Sequence, residues 1–111
     1  MKSKFGRGFI YPLVLYALHL PHIEKAETFA EFYISIIGAL DHLGDIVIPD
    51  DLPKKIVKDI EYLKNRIQKY KIYNCKDKIP NDRLRIINQS KKLFFDIDKY
   101  YLKVNPIRSE G

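Results

Sequence analysis

Residues 26–43 read AETFAEFYISIIGALDHL. Phe29, Tyr33, Ile36, Leu40 and Leu43 recur there at alternating spacings of four and three, which is the period of one helix face and not of a strand. At 100° per residue, Ala30, Phe32, Ile34 and Ile37 widen that stripe to roughly 200° of the circumference, about twice what a surface helix needs. A helix over 26–43 therefore expects more than one neighbour. Its narrow polar back carries Glu27, Thr28, Glu31, Ser35, Gly38 and His42.

Upstream, Phe9 to Leu20 reads FIYPLVLYALHL, apolar all round except for His19. A helix over 9–20 follows, with Pro12 in its first turn, Pro21 as its stop and a place in the middle of the core. Lys2, Lys4 and Arg7 ahead of this run give it the look of a signal peptide, but Pro21-His22-Ile23-Glu24 is a poor cleavage site. The run is also shorter than the ~20 residues of a membrane span, so no membrane association is expected.

Downstream, Gly44 offers a C-terminal cap and 45–50 an extended connection. Asp50 or Asp51 with Pro53 then starts a third helix over 51–70, carrying Ile56, Ile60, Leu63, Ile67 and Tyr70 on one stripe. A loop from Ile72 to Pro80 leads to a fourth helix over 82–104, whose stripe is Ile86, Leu93, Ile97, Tyr100 and Val104, with Ser90 as its one polar interruption. Four helices joined by short loops predict an all-α, up-down four-helix bundle. The chain has 111 residues, 46% apolar and 31% charged. That suits one domain over 1–111, with a short N-terminal arm (1–7) and a C-terminal tail (106–111).

Cys75 is the lone cysteine, so no internal disulfide framework exists and a reducing, cytoplasmic setting is expected. Charge divides unevenly. Residues 1–52 hold four Lys/Arg against seven Asp/Glu, a net −3, and residues 53–111 hold sixteen against seven, a net +9. On the fourth helix Arg85, Gln89, Lys92, Lys99 and Lys103 form a basic stripe broken only by Asp96, and Lys54, Lys58 and Lys69 of the third helix extend it. Such a surface would hold a nucleic-acid backbone, a nucleotide phosphate or an acidic protein without reading bases. With fifteen lysines against five arginines and no nucleic-acid-binding signature, a solvated face in a lysine-rich composition is the favoured account of it.

His19, His22, Glu24 and Glu27 gather near the first bend, where imidazole and carboxylate together would suit a divalent metal and a hydrolase. Of these, His19, His22 and Glu27 are the candidate ligands. Their spacing matches no zincin or di-iron signature. A helix ending at Pro21 would set His42 some 25 Å from His19, too far for one ion to bridge. Gly6-Arg7-Gly8 lacks the third glycine and preceding strand of a dinucleotide site. No catalytic residue and no cofactor is assigned.

Phe95 and Leu102 form a second apolar ridge on the fourth helix and, with Phe32 and Ile34 of the wide second helix, supply more hydrophobic surface than a monomer needs. The expected function is a non-enzymatic module that self-associates as a two-fold dimer. Phosphate-backbone binding and metal-dependent hydrolysis are the alternatives.

Overall fold

A computed structural model describes residues 7–73 and 78–104, apart from the side chains of 72, 73 and 101–104. The rest of the expected arm, the tail, Cys75 and the side chains of Leu102, Lys103 and Val104 lie outside the described residues. Four helices make the fold: α1 (Arg7–Lys25), α2 (Phe29–Gly44), α3 (Lys54–Tyr73) and α4 (Arg83–Val104). Both α1 and α3 pack on α2 and α4, and no diagonal pair meets among the described residues. This closed ring is the expected up-down four-helix bundle. Within the described residues no helix is long and apolar enough to cross a membrane.

Three expectations about α1 are corrected. Pro21 does not stop it, because the helix runs on to Lys25 with Pro21 on its exposed side. There, water can take over the Ala17 carbonyl that proline leaves without an N–H partner. The helix also starts earlier, at Arg7, which puts Pro12 beyond the first turn. The carbonyl that Pro12 strands is that of Gly8, and it accepts the Val47 N–H at 2.7 Å. Glycine makes this approach possible, since a Cβ at position 8 would lie 3.0 Å from the Cβ of Val47. Finally, α1 is not central. In a ring of four, every helix is a corner with two neighbours, so Phe9, Leu13, Tyr16, Leu20 and Ile23 enter the core while the opposite side stays open.

A capping box that sequence reading overlooked sets the start of α2 at Phe29. Thr28 Oγ1 accepts the Glu31 N–H at 3.2 Å, and Glu31 Oε1 accepts the N–H groups of Glu27 and Thr28 at 3.0 and 3.3 Å. The inward face is rotated from the expected stripe, to Phe32, Ser35, Ile36, Ala39 and Leu43. The expected polar back is exposed at Glu27, Thr28 and Glu31 but is a packing surface further along: Ser35 is buried, donating its hydroxyl to the Glu31 carbonyl at 2.9 Å, and Gly38 receives His19.

At α3 the Pro53 carbonyl accepts the N–H groups of Ile56 and Val57 at 3.0 and 3.1 Å, so the helix begins at Lys54, after Pro53, and not at Asp51. Ile56, Ile60, Leu63 and Ile67 are buried as expected. On α4, Ser90 is fully buried; its Oγ donates to the Ile86 carbonyl at 2.7 Å and lies 2.5 Å from the Tyr16 hydroxyl. With the one serine proton engaged by Ile86, Tyr16 is the donor of the pair. Burial holds the Tyr16 phenol up at about 12. Arg83 closes the lower end of the bundle by donating to the Ala26 carbonyl at 2.6 Å.

Candidate functional site

The largest departure from an ordinary surface is the outer side of α1. Between Arg7 and Glu24 the helix carries no Asp, Glu, Lys or Arg, so its solvent face is largely apolar, with exposed His22 as its polar member. Tyr11 is 64%, Val14 50% and Leu18 62% exposed, and they lie three to four residues apart on one line of the helix. Ile34 of α2, 70% exposed, stands across a shallow groove of about 460 Å³ that it lines with His19 and His22. A helix apolar all round is ordinarily buried all round. This one has only two neighbours.

No family model, curated protein or solved structure matches this chain.

The structure divides the expected interface residues. Ile34 is exposed as expected, but Phe32 is a core residue whose ring meets Tyr70 edge-on at 5.9 Å. The true axis of the wide α2 stripe passes through it, so Phe32 cannot contact a partner. Phe95 is 63% exposed, with the Lys99 ammonium 5.6 Å from its ring centre. Its expected companion Leu102 lies outside the described side chains.

The metal candidates are rearranged. His22 is on α1 and not in a turn, and Glu27 faces a different cleft, lined with Thr28, Phe29, Ala30, Lys78, Ile79 and Asn81, so Glu27 does not join His19 and His22. Extension of α1 past Pro21 also moves the hairpin bend to 26–28, and His19 consequently meets His42 with ring centroids 5.1 Å apart and planes at 37°. The inferred 25 Å separation is therefore wrong. Desolvation lowers the His19 pKa, with repulsion from His42 and His22 adding to it and Asp41 opposing. Among the described residues no three ligating side chains are gathered.

The basic stripe is partly committed to the fold. Lys92 Nζ lies 3.5 Å from Asp59 of α3 and 3.4 Å from Asp96 of α4, and Lys55 lies 3.6 Å from the same Asp96. The Lys92–Asp59 and Lys55–Asp96 pairs bridge α3 and α4, and Lys92–Asp96 lies along α4; Asp96 and Asp59 raise the Lys92 pKa, chiefly through the Asp96 hydrogen bond. Lys54, Lys58, Arg85 and Lys99 are exposed, and the Lys103 side chain lies outside those described. Sequence reading missed a third cluster altogether: Asp82, at the start of α4, accepts hydrogen bonds from Arg66 and from the Tyr70 hydroxyl of α3. These three, with Lys69, Lys78 and Asn81, line a cleft of about 400 Å³. Tyr70 and Arg66 together hold the Asp82 carboxyl below its usual range, the Tyr70 hydrogen bond being the larger cause. The Arg66–Tyr70 spacing of four residues on one helix is the signal that could have found it.

Proposed function

We propose that this chain is a non-enzymatic, cytoplasmic helical module that self-associates through the outer face of α1, flanked by Ile34 of α2. The observation that carries this reading is the uncharged strip Tyr11–Val14–Leu18, at least half exposed at every position. A second copy is the occupant that suits it. Tyr11 and Leu18 stand about equally far either side of the Val14–Leu15 midpoint, so an antiparallel copy related by a two-fold axis sets each Tyr11 against the partner's Leu18. Phe95 is less suited to this role because the Lys99 ammonium already lies over its ring. The lone cysteine, which permits no internal disulfide, supports the cytoplasmic setting.

With 19 residues at ~1.5 Å each, α1 is about 28 Å long. A single helix face of that length is a narrow surface beside the broad interfaces of obligate dimers, so a weak dimer is expected. Sedimentation equilibrium from roughly 10 μM to 1 mM covers that affinity range. The wild-type mass should approach two chains, Leu18→Glu should give a folded monomer by circular dichroism, and Phe95→Glu should still associate. A wild-type monomer throughout, or unchanged association of Leu18→Glu, would reject the reading.

A further inference from the structure

We propose that His19 of α1 and His42 of α2 form a two-imidazole binding site for a divalent transition-metal ion of the zinc, nickel or copper class, cross-linking the first hairpin. Two imidazoles bound to one tetrahedral ion at ~2.0–2.1 Å metal–nitrogen distances have ring centres about 5 Å apart. The observed separation is 5.1 Å. The rings are tilted by 37°, short of parallel stacking.

The position of His19 is fixed by the backbone opposite. Its ring rests on Gly38, where any Cβ would overlap it, so the α2 chain provides a glycine-sized seat for this side chain. Neither ring makes a hydrogen bond among the described residues, which leaves imidazole lone pairs for a ligand. The two ligands come from different helices that already pack together, so binding an ion calls for side-chain adjustment and no movement of the helices. His22, which lines the groove beside His19, and Asp41, next to His42, place a further imidazole and a negative charge nearby. No third ligand is in place among the described residues, so water completes the coordination shell. Imidazole donors without thiolates select borderline ions such as Zn²⁺, Ni²⁺ and Cu²⁺ over Mg²⁺ or Ca²⁺.

The test uses the untagged full chain titrated with NiCl₂ or ZnCl₂ near pH 7.5, followed by calorimetry and by the imidazole resonances in NMR. One ion per chain is expected, with His19 and His42 resonances shifting together. His19→Ala and His42→Gln should each weaken binding by roughly ten-fold or more, while His22→Ala changes it by less than about three-fold. His42→Gln leaves the Gly38 seat untouched and so guards against loss of fold in His19→Ala. Undetectable binding at millimolar metal, or equal binding by wild type and His42→Gln, would overturn the site. The monomeric Leu18→Glu variant should bind metal as the wild type does, so this result stands apart from that of self-association.

Discussion

Replacement of Ser90 by alanine should destabilise the fold more than replacement of Tyr16 by phenylalanine, although the two side chains share one hydrogen bond. Both residues are completely buried, and the Tyr16 hydroxyl donates to Ser90 Oγ, whose own proton goes to the Ile86 carbonyl. In Ser90→Ala the phenol keeps its burial and loses its acceptor, a cost of about 2 kcal/mol from the range for stranded buried polar groups. In Tyr16→Phe the serine keeps its bond to Ile86 and only one net hydrogen bond disappears, a cost of about 1 kcal/mol. The double variant removes both members, so it should cost about 1 kcal/mol and not 3, a coupling of about 2 kcal/mol. At this chain length each kcal/mol corresponds to roughly 4 °C in Tm. Urea unfolding at pH 7 and one fixed protein concentration, followed by circular dichroism, measures all four corners of the cycle. Additive costs, or a Tyr16→Phe cost equal to that of Ser90→Ala, would refute the assignment of donor and acceptor. More follows from it than stability, because Tyr16 and Leu18 project from nearly opposite sides of α1. A bond that holds Tyr16 inward also turns Leu18 outward.

Gly38→Ala should destabilise the wild type by at least about 1 kcal/mol, the usual cost of overpacking, and by much less in a His19→Ala background, since the overlap is with the His19 ring; equal costs in both backgrounds, by thermal unfolding, would contradict that packing. Thr28→Ala should cost about 1 kcal/mol through loss of the capping box, again by urea unfolding, and no loss would show that the α2 start is held otherwise. Asp82 has a lowered folded-state pKa, so its contribution is fully present above the unfolded value of about 3.9 and is lost as pH falls through the folded value. The stability difference between wild type and Asp82→Asn should therefore be constant from about pH 7 to 5 and shrink below about pH 4; a difference that grows in acid would reverse the sign and exclude the Arg66–Tyr70–Asp82 account.

The helices with one-sided patterns were legible. Ile56, Ile60, Leu63 and Ile67 of α3, and Ile86, Leu93 and Ile97 of α4, are buried where periodicity placed them. On α2 the apolar arc is so wide that periodicity cannot choose its inward direction. Packing chooses it through the small residues Ser35, Gly38 and Ala39, which let α1 approach and turn Ile34 outward. Pro21 was misread because tolerance of a mid-helix proline depends on whether water can reach the freed carbonyl, a property of the helix's place in the bundle. That single boundary moved the hairpin bend, and with it the meeting of His19 and His42. The apolar character of α1 was visible in its letters, whereas its number of neighbours was not. Half of the candidate interface follows from that count alone.

Pro21 has one more effect, on whatever settles over α1. It deprives the Ala17 carbonyl of its helical donor at the edge of an oily ridge on which the Tyr11 hydroxyl is the other directional group. Covering that oxygen without an N–H, an O–H or a trapped water would forfeit about 1–3 kcal/mol, so a docked body that slides by one helical turn loses what a correctly seated one keeps. A backbone acceptor thus acts as a key, helping to convert a slippery contact into one with a preferred alignment.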